Sequence, residues 1–165
     1  MKFYSKNMSK TLDIILNIII ALGLVITAKI YYSIFLQIRN NSSISSAQTI
    51  GMILILTIGI ISTFLIVFDL KKIIKTIIKS NPFVLSNVKS LYKISVECFI
   101  ITGCYLANIL FNFKNHAYRF IYIDSNFIHT DTEPIIFFLA GIFILVLAAV
   151  FKEAIKYKEE NDYTI

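Results

Sequence analysis

Charge, cysteine and proline are all scarce in this chain. Charged residues make up only 16% of its 165 positions, where a soluble domain carries about 25%. The shortfall comes from uninterrupted apolar segments, each long enough to cross about 30 Å of hydrocarbon. With 57% hydrophobic residues and a mean hydropathy of +0.75, the chain holds more apolar helix than a soluble core could hide. That excludes an ordinary soluble domain and predicts an integral membrane protein.

Cysteine occurs twice, at Cys98 and Cys104, within one apolar segment. Six residues of helix put them about 9 Å apart on different faces, outside disulfide geometry. No redox or metal spacing is present, so both read as small apolar core residues. Serine and cysteine show no nucleophile signature, and the five glycines form no phosphate-cradling loop. Enzymatic activity has no positive support, and no cofactor or metal is expected. Proline occurs twice, at Pro82 and Pro134, and each marks a helix boundary.

What is present is a set of four apolar runs with basic residues beside them. The expected fold class is an all-α integral membrane protein in a single domain, with spans at about 12–35, 49–68, 94–113 and 134–151. The basic start, with Lys2, Lys6 and Lys10, is like that of a signal peptide. A signal peptide's apolar region is only about 7–15 residues and ends in small residues. This run is longer and ends in Lys29-Ile30-Tyr31-Tyr32, so it reads as a retained first span. Tyr31, Tyr32 and Phe35 would then sit at the far interface. Ala47, Gly51, Gly59 and Thr63 share a face of the second span, and Gly103 and Ala107 pair on the third. Small residues at such spacing fit either close approach of a neighbouring helix or the general abundance of glycine in membrane helices.

After Asp69 the second run becomes amphipathic. Lys71, Lys75 and Lys79 fall on one face, and Ile73, Ile74, Ile77 and Ile78 on the other. The helix is expected to continue past the bilayer and to stop at Ser80-Asn81-Pro82. Asn81 can cap the next helix with Pro82 at its first position, and Ser86 is a rival cap. The new helix should bury Val84, Val88, Leu91 and Tyr92 and expose Lys89 and Lys93. Residues 69–93 thus form a basic helical hairpin, followed by a loop at 114–133 and a charged tail at 152–165 that is helical to about Lys158. Alternation in the segment from Tyr118 to Ile123 fits either a short β-hairpin or an amphipathic segment lying on the bilayer.

The formal charge is +6. In a soluble protein that would point to nucleic acid. Here the basic residues flank apolar segments, which favours anionic lipid headgroups and topology control, with no direct nucleic-acid binding expected. The N-terminal segment, hairpin and tail hold twelve of the sixteen Lys and Arg residues. The positive-inside rule puts both termini and the hairpin in the cytoplasm.

Asp13, Asp69 and Glu97 are the acids nearest the hydrocarbon, all at the cytoplasmic ends of spans. A converging trio could bind a cation or relay a proton. Each also lies near a lysine, and interfacial pairing accounts for that (Lys10, then Lys71 and Lys72, then Lys93). His116, Asp124, His129, Asp131 and Glu133 share the outer loop without compact ligand spacing, so they read as a solvated loop.

The segment Asn81-Pro82-Phe83, then Ser86-Asn87 and Leu91-Tyr92-Lys93-Ile94, resembles a pattern in a family of small bacterial four-helix membrane proteins. There an Asn-Pro-Phe is followed by Glu-Asn and a Leu-Arg-Lys-Ile stretch. The tail Phe151-Lys152-Glu153-Ala154, closing in Asn161-Asp162-Tyr163-Thr164-Ile165, resembles that family's closing Asp-Leu-Thr-Ile. Ser86 stands where the family has Glu, and Tyr163 where it has Leu. The family is classed as a domain of unknown function, and its members are often encoded beside a very small Cro-type helix-turn-helix regulator. The resemblance implies a non-enzymatic regulator in the bacterial cytoplasmic membrane that binds or sequesters such a protein. Lys71, Lys75, Lys79 and Lys89 would be contacts, Asn81-Pro82-Phe83 would fix the hairpin's shape, and Asn161, Asp162, Thr164 and Ile165 would form a second contact or a lock against the hairpin. Two other functions stay open: a transport or immunity component using Asp13, Asp69 and Glu97, and a structural subunit of a larger complex.

Overall fold

The computed structural model describes residues 2–40, 46–111, 122–123, 128–129 and 132–162, with side chains described for 8–36, 38–39, 50–110 and 132–161. Four long helices carry nearly all of it: α1 (Lys2–Asn40), α2 (Ser46–Ile78), α3 (Leu85–Phe111) and α4 (Glu133–Asp162). All four are long and apolar enough to cross a membrane. In hydrocarbon an unpaired peptide group has no water to bond, so a spanning segment must satisfy its backbone internally. That demand overrides the mild helix reluctance of the many isoleucines. Each expected span falls inside one of these helices, except that 112–113 lie outside the described residues. The protein is a multi-pass membrane protein built from α-helices.

Two two-residue strands, β1 (Tyr122–Ile123) and β2 (Ile128–His129), join α3 to α4. They pair antiparallel, Tyr122 opposite His129 and Ile123 opposite Ile128. This pairing fits the short hairpin expected there, and the rest of 112–131 lies outside the described residues. Pro134 lies in the first turn of α4, where its missing N–H is no loss. The Thr132 carbonyl accepts from the amides of Ile135 and Ile136, both at 3.1 Å. The tail is helical further than expected, to Asp162 instead of about Lys158. Lys156 and Glu160, one turn apart on the exposed face, pair at 3.9 Å in this extra turn.

Among the described residues, each long helix packs only on its neighbours in sequence. The helices therefore form an open antiparallel row, α1-α2-α3-α4, rather than a closed bundle. The α3–α4 contact is the most extensive and α1–α2 the least. The start of α1, the turn between α2 and α3, and the end of α4 lie together at one end of the row.

α3 sits inside the row and carries most of the core: Val88, Leu91, Ile94, Cys98 and Ile101, with Ala148 and Ile155 from α4. It also buries Asn87, Ser90, Ser95 and Thr102, and it is the least apolar of the four spans. Those polar groups face protein. Ser95 Oγ donates to the Gly141 carbonyl at 2.8 Å, and Thr102 Oγ1 donates to the Cys98 carbonyl at 3.0 Å. α1, by contrast, buries only Ser9 among its described side chains. Its tie to α2 includes the Tyr31 hydroxyl, 2.6 Å from Thr57 Oγ1.

The expected small-residue faces are not where helices come closest. A Cβ added at Gly51, Gly59 or Gly103 would meet nothing within 4 Å, and Ala47 lies outside the described side chains. Close approach occurs at two other glycines. A Cβ on Gly23 would lie 3.2 Å from the Phe64 ring, and one on Gly141 only 2.9 Å from the Phe99 ring. Phe99 is itself backed by Phe138, with ring centroids 5.8 Å apart, so it has little room to retreat. In a row, a glycine counts only if it faces a neighbour, and spacing along one helix does not reveal that.

Gly141→Leu is expected to lower stability by about 1–3 kcal/mol through overpacking, read as a lower thermal midpoint in detergent. Gly59→Ala should leave the midpoint unchanged or raise it, because open space surrounds the new methyl and alanine favours the helix.

Candidate functional site

The candidate site is built on the turn that joins α2 to α3. α2 ends in a Schellman motif: the Asn81 amide donates to the Thr76 carbonyl at 3.0 Å, and the Ser80 amide to the Ile77 carbonyl at 2.9 Å. The pivot is Ser80 at φ 59°, a left-handed position that glycine fills more easily. Asn81 is therefore part of the closure of α2 and not the cap of α3. α3 starts at Leu85, and the Val84 carbonyl accepts from the Asn87 amide at 2.9 Å. Pro82 lies in the turn, ahead of the first helical residue, and Ser86 lies within the helix. The position before the first helical residue is thus held by Val84, in place of Asn81 or Ser86.

The Pro82 carbonyl accepts from the Val84 amide at 3.1 Å and from Asn87. Asn87 is 1% exposed. Its Nδ2 donates to the Pro82 carbonyl at 2.7 Å and to Thr76 Oγ1 at 2.6 Å. Thr76 Oγ1 in turn donates to the Ile73 carbonyl at 2.7 Å. One amide thus ties the last turns of α2, the proline and the first turn of α3 together. The motif containing Ser86-Asn87 was visible in the sequence, but this burial was not. The one available signal was the low apolar content of the third span.

Lower down, Asp69 of α2 is 5% exposed. Its Oδ1 lies 2.6 Å from Lys72 Nζ and 3.4 Å from Ser90 Oγ of α3. A buried carboxylate is tolerable when an ion and a hydroxyl share its charge. Asp13 pairs across to α2, with Lys71 Nζ 4.0 Å from its Oδ1, and Lys71 also donates to Asn17 Oδ1. The sequence-adjacent partner expected for Asp13 was Lys10. Glu97, partly buried on α3, makes no ion pair with Lys93 or any other described residue. Asp13 thus serves the α1–α2 contact and Asp69 the α2–α3 contact. Among the described residues no three His, Cys, Asp or Glu side chains group to hold a metal.

The lysines divide accordingly. Lys71 is drawn in toward α1, with a side chain 21% exposed, so it is not a free surface contact. Lys72, Lys75, Lys79, Lys89 and Lys93 are all exposed. Val88 and Leu91 are buried as expected, whereas Val84 is only partly covered and Tyr92 is exposed. Phe83, in the turn, reaches the far helix: its ring centroid is 5.7 Å from that of Phe151 on α4. The two sequence motifs therefore meet in space. Asn161 is exposed and Asp162 ends α4, while Thr164 and Ile165 lie outside the described residues. So do His116, Asp124 and Asp131, and the side chain of His129.

The family described as a protein of unknown function, DUF2975, matches residues 37–165. The chain belongs to this family. The match takes in α2, the turn, α3 and α4, while α1 lies almost wholly before it. No curated protein and no solved structure matches the chain. Within this DUF2975 member, the Asn87 clasp and the Phe83–Phe151 contact both fall in the matched region.

Asn87→Leu removes both side-chain hydrogen bonds and leaves the Pro82 carbonyl with the Val84 amide, at 3.1 Å, as its donor. The expected cost is about 1–3 kcal/mol. Opening should be local, so limited trypsin digestion should cut at Lys79 and Lys89 faster than in the wild type while the far end of the row stays intact.

Proposed function

We propose that this DUF2975 chain is a non-enzymatic regulator of the bacterial cytoplasmic membrane that binds a small cytoplasmic helix-turn-helix protein. In this arrangement both termini and the 79–84 turn face the cytoplasm. The ends of α2 and α3 extend beyond the bilayer as a helical hairpin over residues 69–93. The docking face consists of Lys75, Lys79 and Lys89 around Asn81-Pro82-Phe83, with the end of α4 beside it.

One observation carries the proposal. The turn is held by the buried Asn87 amide, while the lysines around it stay exposed. A solvated basic linker needs no such clasp. A surface that must present charge in one arrangement does, because ordering it beforehand removes the entropic cost of ordering it on binding. The Phe83–Phe151 contact supports adding the end of α4 to the same face. Twelve of the sixteen basic residues lie at this end of the chain's topology, which supports the cytoplasmic orientation. An acidic patch on the partner would complement the face, and the contact would weaken as salt screens it.

The test is co-purification of the tagged full-length chain with the product of a neighbouring helix-turn-helix gene. Combined Lys75→Glu, Lys79→Glu and Lys89→Glu is expected to weaken recovery by at least about tenfold, since like charges across an interface cost several kcal/mol. Unchanged recovery overturns the docking face. Deleting Asn161–Ile165 tests the tail separately, and normal binding after that deletion removes it from the face.

A further inference from the structure

The two edges of the row carry charges of opposite sign at matching levels. α1 and α4 are the edge helices, and among the described residues they do not touch each other. Lys29 lies inside the apolar run of α1 and is exposed. It sits two residues from Tyr31, which bonds α2. Two residues turn a helix by about 200°, so Lys29 points away from α2. Glu153 of α4 is placed in the same way, exposed and two residues from the buried Ile155. Charged groups on membrane helices normally face protein or pair with one another. Lys10, Lys29, Glu133 and Glu153 make no ion pair among the described residues. Of the lysines in the same turns of α4, Lys156 is taken up by Glu160, and Lys152 and Lys158 lie at least about 100° round the helix from Glu153.

Contacts between successive helices fix the levels. Gly23 of α1 lies against the Phe64 ring of α2. Asp69 of α2 meets Ser90 of α3, so Phe64, five residues before Asp69, is level with Ser95, five after Ser90. Ser95 bonds Gly141 of α4. Gly23 and Gly141 are therefore level at the two edges. A second route agrees within a residue: Tyr31 meets Thr57, Thr57 is level with Thr102, and Thr102 meets the Pro134 carbonyl. Counted from Gly23 and Gly141, Lys29 comes level with Ile135, two residues from Glu133. Lys10 comes level with Ala154, next to Glu153. Lys6 comes level with Lys158, next to Glu159, and Lys2 with Asp162. Every lysine of α1 thus lies within about 3 Å, along the helix axis, of an acid on α4.

Within one chain these charges do not meet, because α2 and α3 stand between the edges. A second copy brings them together when its α1 lies antiparallel beside the α4 of the first, as each neighbouring pair in the row already lies. Both halves of the charge pattern belong to this chain, so its own copy is the partner they fit. The apolar surfaces between the charges agree: Ala21, Val25 and Ala28 come level with Phe143, Leu139 and Ile136, all exposed, so small residues stand opposite large ones. We propose that α1 of one copy packs against α4 of the next, with Lys29 at Glu133 and Lys10 at Glu153. A contact between two different edges repeats from copy to copy, so it builds a ring or a continuing row.

The test uses the full-length chain in membrane vesicles, with Cys98→Ala and Cys104→Ala as background and an oxidant to form disulfides. Lys29→Cys combined with Glu133→Cys is expected to give a ladder of dimers and larger species, and so is Lys10→Cys with Glu153→Cys. Lys29→Cys with Ile100→Cys, an exposed position at the same level of α3, should give none. In the chain with its native cysteines, native mass spectrometry from nanodiscs should show Lys29→Glu lowering the oligomer fraction about fivefold, and added Glu133→Lys restoring it. That measurement decides if the cysteine-free background does not fold. Absence of both ladders overturns the proposal, as does a ladder equally strong with Ile100→Cys. Disulfides confined to single chains overturn it too, because the row then closes on its own edges. So does an oligomer fraction that Lys29→Glu leaves unchanged, since Lys29 then only reaches along its helix to lipid headgroups.

Discussion

A peptide group in hydrocarbon has no solvent to fall back on, so it must be bonded by the chain itself. Along a helix this is automatic. At a helix end it is not, because the last carbonyls and first amides lose their intrahelical partners. At the turn between α2 and α3, which the proposed arrangement places beyond the bilayer, specific residues take up those end groups in place of water. Ser80 swings into the left-handed region, so that the Schellman pair of hydrogen bonds can close α2. Asn87 then reaches back from α3 to bind the Pro82 carbonyl and Thr76. That closure joins the two helix ends that carry Lys75, Lys79 and Lys89.

The same demand explains the sequence of α3. As one of the two inner helices of the row it has two protein faces, and it carries Asn87, Ser90, Ser95 and Thr102 buried. Ser95 binds a backbone carbonyl of α4, and Thr102 binds one of its own helix. α1 lacks that shelter and buries almost nothing. It is joined to α2 by the Lys71, Asn17 and Asp13 cluster, the Tyr31–Thr57 hydrogen bond and the Gly23–Phe64 approach.

Features set by local spacing were legible in the sequence: four apolar helices, the stop near Pro82, and the exposure of Lys75, Lys79, Lys89 and Lys93. Features set by what faces a residue were not. Lys71 follows the same four-residue period as Lys75, yet it turns inward because Asn17, 54 residues earlier, meets it. Gly59 and Gly141 look alike in sequence, but one faces open space and the other a phenyl ring. Asn87 belonged to a recognisable motif, but its burial depends on Thr76 lying across the turn, eleven residues away. Which neighbour each helix face meets is information the row supplies and the period does not.

The serial order of the row also bears on how the protein is made. Among the described residues, each long helix packs only on the one before or after it. Each can therefore pack as soon as its successor leaves the ribosome, without waiting for a distant segment to close a ring. Such local contact patterns favour fast assembly. They also make the row extensible at its edges. α1 can be carried at one edge, almost wholly outside the family match, without disturbing the packing of α2, α3 and α4. An edge helix of this kind is a place where members of one family can differ while their shared turn keeps its shape.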